Sequence, residues 1–267
     1  MNNSKRNGWR LLAMGTVIFF IGTGIYFYSI TVGESKKLEQ TLIERYGWAD
    51  RYTPPADGVL LPARLESFIR VREAVQDNCV VFHKILDDVM GLEALEADKD
   101  MPAGEKASKS LDSLKSMFSV APGFLEFMDA RNQALLKEQM GLGEYIYIYL
   151  AAYGEQLAED THSVYADMEE AHISPRSRRE FAQILLNQAN ALEATGTGIE
   201  KAALIGELRS EAETLESGAQ ASPWSSGPPE QTGASLLPFR NQLNELYCTG
   251  IVKTELMQKN RGLSLEG

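Results

Sequence analysis

Residues 11–33 run for 23 positions without a charged side chain. At ~1.5 Å rise per residue, a helix of that length crosses a hydrocarbon core of ~30 Å with some tilt. Trp9 stands at one end, and Tyr26 and Tyr28 toward the other, where amphipathic rings favour the headgroup layer. Lys5, Arg6 and Arg10 precede the run with no acidic residue among them. The positive-inside rule therefore predicts residues 1–10 as a cytoplasmic tail and 11–33 as an anchor. A cleaved signal peptide competes, with Thr31 and Gly33 as small residues before Glu34. The run is longer than the ~7–15-residue core of such a leader and carries aromatics to its end, which favours the anchor. The expectation is a single-pass protein of the inner or plasma membrane. The bulk of its chain is then extracytoplasmic, and periplasmic in a bacterium.

That tether fixes the sign of the exposed body. All 37 acidic residues lie beyond the anchor, against 26 basic residues in the whole chain, and the pI is about 4.9. A phosphate backbone needs a positive footprint, so nucleic acid is excluded as the main partner. Two cysteines are too few for a disulfide-built scaffold.

Strand signals are sparse beyond the anchor, and helical periods recur with start and stop punctuation. The predicted fold is all-α: an N-terminal transmembrane helix followed by an antiparallel multi-helix bundle. Residues 34–61 form a charged juxtamembrane helix and an irregular crossing with Trp48, Tyr52, Pro54, Pro55 and Gly58. Residues 62–216 make the bundle. Pro62 suits the first turn of its first helix, where Leu65, Phe68, Arg72, Val75, Cys79, Phe82, Leu86 and Val89 form a heptad seam with one charge in it. Further helices are expected over 104–118, from 122 (Met128, Arg131 and Leu135 on one side), 144–157, 174–194 and 199–215. The segment from Tyr145 to Tyr153 is apolar or aromatic on every face and belongs in the middle of a bundle. Residues 217–237, rich in Ser, Gly and Pro, read as a mobile loop, and 238–260 as a last helix completing the bundle.

Catalytic signatures are missing from the sequence: no phosphate loop, nucleophile elbow, Cys-x-x-Cys or His-Glu-x-x-His is present. Glu159-x-x-His162 and Glu169-x-x-His172 repeat a pairing used by di-iron bundles. On one helix, copies ten residues apart sit ~15 Å apart, too far for one dinuclear centre. They read as a solvated acidic face, and no metal or cofactor is expected. With three histidines and no catalytic spacing, the chain is expected not to be an enzyme.

Three structural expectations follow from the seam. Arg72 needs a partner or a route to water, and Glu144, opening the most apolar helix, is the candidate carboxylate. Cys79 and Cys248 would bridge if the first and last helices are neighbours, or else stay free and buried. Trp48 and Tyr52 either clamp the crossing onto the bundle or, with the loop residue Trp224, present aromatic surface to another envelope protein. The alternative is a small-ligand-binding or sensing bundle acting through a partner, with a pocket near Glu144, Tyr145 and Tyr149. A cavity at those tyrosines would favour the second reading; a solid core with an exposed groove would favour the first.

Overall fold

The computed structural model describes residues 35–97, 126–160, 175–196, 198–220, 222–248 and 256, with only the backbone for 80–97 and 159–160. The described residues are all-α, without strands. Residues 11–33, His162, Glu169 and His172, and the stretch 104–118, lie outside them. Among the described residues no helix is long and apolar enough to cross a membrane.

The chain enters through α1 (residues 35–46), whose Leu42 reaches the core. A 3-10 turn, Ala49–Arg51, then interrupts the crossing. The helix α2, Pro62–Ala97, has 36 residues and so spans ~54 Å. Its N-terminus follows from Pro62, whose fixed φ suits a position where a backbone N–H has no intrahelical acceptor. The seam points inward: Leu65, Phe68, Arg72, Val75 and Cys79 are all buried.

The helix α3 (residues 126–137) buries Met128, Arg131 and Leu135. It ends with Gln139 in the left-handed region, at φ 52. The Met140 N–H then donates to Leu135 O at 2.9 Å and the Gln139 N–H to Leu136 O at 3.3 Å, closing the last carbonyls. The chain turns at once into α4, Leu142–Asp160. A Cβ on Gly141 would sit 2.8 Å from Cβ of Tyr46, and one on Gly143 only 2.4 Å from the Ala49 carbonyl oxygen. The crossing therefore lies directly on the start of α4, and only glycine fits at both points.

Two further helices, α5 (Pro175–Ala194) and α6 (Ile199–Ser217), form a hairpin against the body. Gly218, at φ 78, caps α6 by donating to Leu215 O. Next come α7 (Glu230–Leu236), a 3-10 turn and α8 (Arg240–Glu245).

Two sequence expectations are corrected here. The stretch 217–237 is not a mobile loop: Ser222, Trp224 and Thr232 are buried, and α7 occupies its second half. Its glycines and prolines mark sharp turns, but Trp224 supplies enough apolar surface to pin those turns to the core. The last helix does not run over 238–260. It stops at Glu245, and Tyr247 and Cys248 lie outside any helix where the chain reaches α2, as described below.

Candidate functional site

The interior is organised by α4. Tyr145, Tyr149 and Tyr153 recur every four residues and so share one face of the helix. All three are fully buried. Their rings form a continuous column, with centroids 6.1 Å apart for Tyr145–Tyr149 and 4.8 Å for Tyr149–Tyr153. Phe68 of α2 joins Tyr145 at 5.2 Å, and Tyr247 joins Tyr153 at 5.0 Å. On the opposite face, Tyr147 donates to Gln188 Oε1 at 3.1 Å and meets the Trp224 ring edge-on at 5.6 Å. Burial raises the pKa of Tyr145, Tyr147 and Tyr153, the last two to about 12, because a phenolate would lose its hydration.

Arg72 is set into this column at 0% exposure. Its Nη1 donates to the Tyr145 hydroxyl at 3.2 Å, and its Nη2 to the backbone carbonyl of Leu246. The guanidinium carbon stands 5.2 Å from the Tyr149 ring centre and 5.6 Å from that of Tyr153, within reach of cation–π attraction. Burial works against the charge, and the tyrosines around it more than offset that and hold the guanidinium protonated.

The expected Arg72–Glu144 pair does not form. Glu144 instead takes two hydrogen bonds from Arg64, Nε to Oε1 at 2.7 Å and Nη2 to Oε2 at 2.6 Å. Arg64 lies two turns earlier on α2, near the surface, where a carboxylate in the first turn of α4 can reach it without full desolvation. Arg131 is the second fully buried arginine. It donates to Asn132 Oδ1 at 3.0 Å, and burial lowers its pKa to about 10 against support from Tyr145 and Glu39.

Cys79 and Cys248 are joined in a disulfide with Cα atoms 6.0 Å apart and a sequence separation of 169. Just before it, the Leu246 carbonyl holds Arg72 and the Leu243 carbonyl accepts from the Tyr153 hydroxyl at 2.9 Å.

The aromatic crossing is clamped rather than presented. Asn187 Nδ2 donates to the carbonyls of Asp50 (2.8 Å) and Tyr52 (2.9 Å), and Gln188 Nε2 to that of Pro55 (3.1 Å). Trp48 and Tyr52 are half-buried, and Tyr52 packs on Tyr147 at 6.2 Å. Trp224 is 1% exposed, so the expectation that it displays its ring to a partner is corrected: it is a core residue. Around the expected pocket residues, Arg72 and neighbouring rings pack against Tyr145 and Tyr149, and Glu144 is engaged by Arg64. Glu159 carries no described side chain, and no metal-ligating cluster occurs among the described residues.

A concave site lies elsewhere. A cleft of about 190 Å³ opens between α4 and the α7–α8 turn, floored by Ala151, Leu236 and Leu243 and lined at one end by Gly154. Its charged lining residues are Glu155, Glu230 and Arg240, and Arg240 lies 3.8 Å from Glu155. Gln156 and Asn244 close one side through a 3.2 Å hydrogen bond. Leu237, 61% exposed, sits on the lip. Sequence reasoning missed this cleft because it placed 217–237 in a loop and so left α4 without that neighbour.

No family model, curated protein or solved structure matches the chain at a significant level.

Proposed function

We propose that this chain is a membrane-tethered, extracytoplasmic interaction module whose helical body captures a basic segment of another envelope protein in the cleft between α4 and α7–α8. The observation that carries this reading is the contrast between a filled tyrosine interior and an open, acid-rimmed cleft. The cleft is below the ~300–1,000 Å³ of ordinary small-molecule pockets. It suits one or two apolar side chains projecting from a larger partner. Glu155 and Glu230 outweigh Arg240 around it, in keeping with the net charge of −11, so basic residues beside those side chains would be drawn in. The tether in this reading is residues 11–33, with residues 1–10 in the cytoplasm and the body in the periplasm of a bacterial cell.

The test is a photo-crosslinking residue at Ala234, in the full-length chain in its native membrane. The expected result is a discrete adduct through a Lys- or Arg-bearing segment, weakened by salt and by Glu155→Lys with Glu230→Lys while the helical circular dichroism persists. An adduct indifferent to charge reversal, or none, overturns the docking reading. A stoichiometric metal with turnover lost in Glu159→Ala or His162→Ala would put an enzyme in its place.

A further inference from the structure

Part of the cleft wall, Arg240, Leu243 and Asn244, comes from α8, six residues long. A helix that short has no stability of its own, and Leu243 is the buried residue it contributes to the core. What holds it is the chain just downstream. The Tyr153 hydroxyl donates to Leu243 O, Arg72 to Leu246 O, Tyr247 stacks beside Tyr153, and Cys248 is bonded to Cys79. Leu243 also floors the cleft, so the residue that shapes the cleft stands in the same short stretch as the covalent tie.

We infer that the Cys79–Cys248 bridge is a redox gate on the cleft: oxidised, it straps residues 243–248 across Arg72 and completes the α8 wall; reduced, the strap lifts and the wall goes with it. This rests on the docking reading and adds its regulation. The reaction is thiol–disulfide exchange with an external dithiol of the thioredoxin type. One thiolate attacks a bridge sulfur and forms a mixed disulfide, releasing the other cysteine as a thiolate that takes up a proton. The second thiol resolves the mixed disulfide. Two electrons pass to the protein, Cys79 and Cys248 end as thiols, and the reductant ends as a disulfide. Cys79 is 3% and Cys248 1% exposed, so exchange proceeds through brief openings of the strap.

Once the bridge is gone, the strap loses its closure over a long loop, and this drives the opening. The remaining hydrogen bonds to Leu243 O and Leu246 O are each modest in net terms.

The gate is tested by amide hydrogen exchange on the full chain in lipid nanodiscs: oxidised, reduced in place by a phosphine, and as Cys79→Ser with Cys248→Ser. The expected result is a loss of protection of about tenfold or more over residues 243–248 in both bridge-free forms, with α5 amides around Ile184 unchanged. The Ala234 adduct is expected to fall in parallel. Equal protection of 243–248 in all three forms overturns the gate and leaves docking untouched. Loss of α5 protection together with the strap also overturns it, since the bridge would then be a staple for the whole body. A strap that lifts while no adduct forms in any state supports the gate and removes the docking reading on its own.

Discussion

Two arginines on α2 solve the same problem in opposite ways. Arg64, near the surface, meets Glu144 in a two-pronged ion pair. Arg72, two turns deeper, rests among Tyr145, Tyr149 and Tyr153 and a backbone carbonyl. The difference follows from the cost of desolvation. At the rim, water still screens both partners, and the ion pair is inexpensive and modest in worth. In the core, a second buried charge would itself need compensation. Neutral hydroxyls, ring faces and a carbonyl supply negative potential without adding a charge to bury. The pair at the rim fixes where α4 begins; the cage in the core ties α2, α4 and the strap to one point.

The comparison can be broken most decisively at Arg72. Arg72→Ala leaves the Leu246 carbonyl and the Tyr145 hydroxyl short of a donor around a new cavity, a loss of ~3–5 kcal/mol. Urea denaturation followed by circular dichroism measures it, and a loss no larger than that of Arg64→Ala would abolish the distinction. Next comes Trp224→Ala, which empties the space against Tyr147 and is expected to cost ~3 kcal/mol. A partner residue displayed on a loop would cost almost nothing, so this melt separates core from surface directly.

The third effect is on pH. The folded chain holds Tyr147 and Tyr153 at about 12, above the ordinary 10.0. A raised phenol pKa means that folding favours the neutral form. That contribution is complete below about pH 10 and is lost as the pH climbs through about 12. Absorbance of phenolate near 295 nm should therefore rise late and together with loss of helix. Early titration of the buried tyrosines with the helix intact would contradict the packing of the column.

The smallest effect belongs to the rim. Arg64→Ala and Glu144→Ala are expected to cost ~1 kcal/mol each, with the double mutant well short of additive. The coupling should shrink in high salt, whereas the effect at Arg72 should not. Salt-independent coupling at the rim would mean that Arg64 is as deeply committed as Arg72.

The legible parts of this chain were those with a strong period. The α2 seam, the all-round apolar α4 and the α5–α6 hairpin all follow from helical spacing. The misreadings share one cause: local composition was used where tertiary contact decides. Serine, glycine and proline made 217–237 resemble a loop, although Trp224 anchors it. Helical periodicity was carried past Glu245, although the disulfide draws the chain off the helix to α2. For Arg72, opposite charge suggested Glu144, yet the tyrosines already counted as core residues were the partners. The cleft had no signature of its own, since it arises from the seating of α7 and α8 on α4.

The bridge also decides how the molecule bears load. In the chain between Cys79 and Cys248, which contains α4 through α8, no two points can be drawn further apart than the closed loop allows. In the proposed arrangement, a partner gripping the cleft and a membrane holding the N-terminus would pull along a line that enters this loop at Cys79. Of the described helices, α1 and the first half of α2 lie outside it with the crossing, on the N-terminal side. Residues 35–78, drawn out at ~3.5 Å each, lengthen to on the order of 150 Å before tension meets a covalent bond. With the sulfurs joined, tension entering at Cys79 passes across the bridge to Cys248, so in the proposed tethered arrangement residues 35–78 are the part of the described body that can be drawn out without a covalent limit.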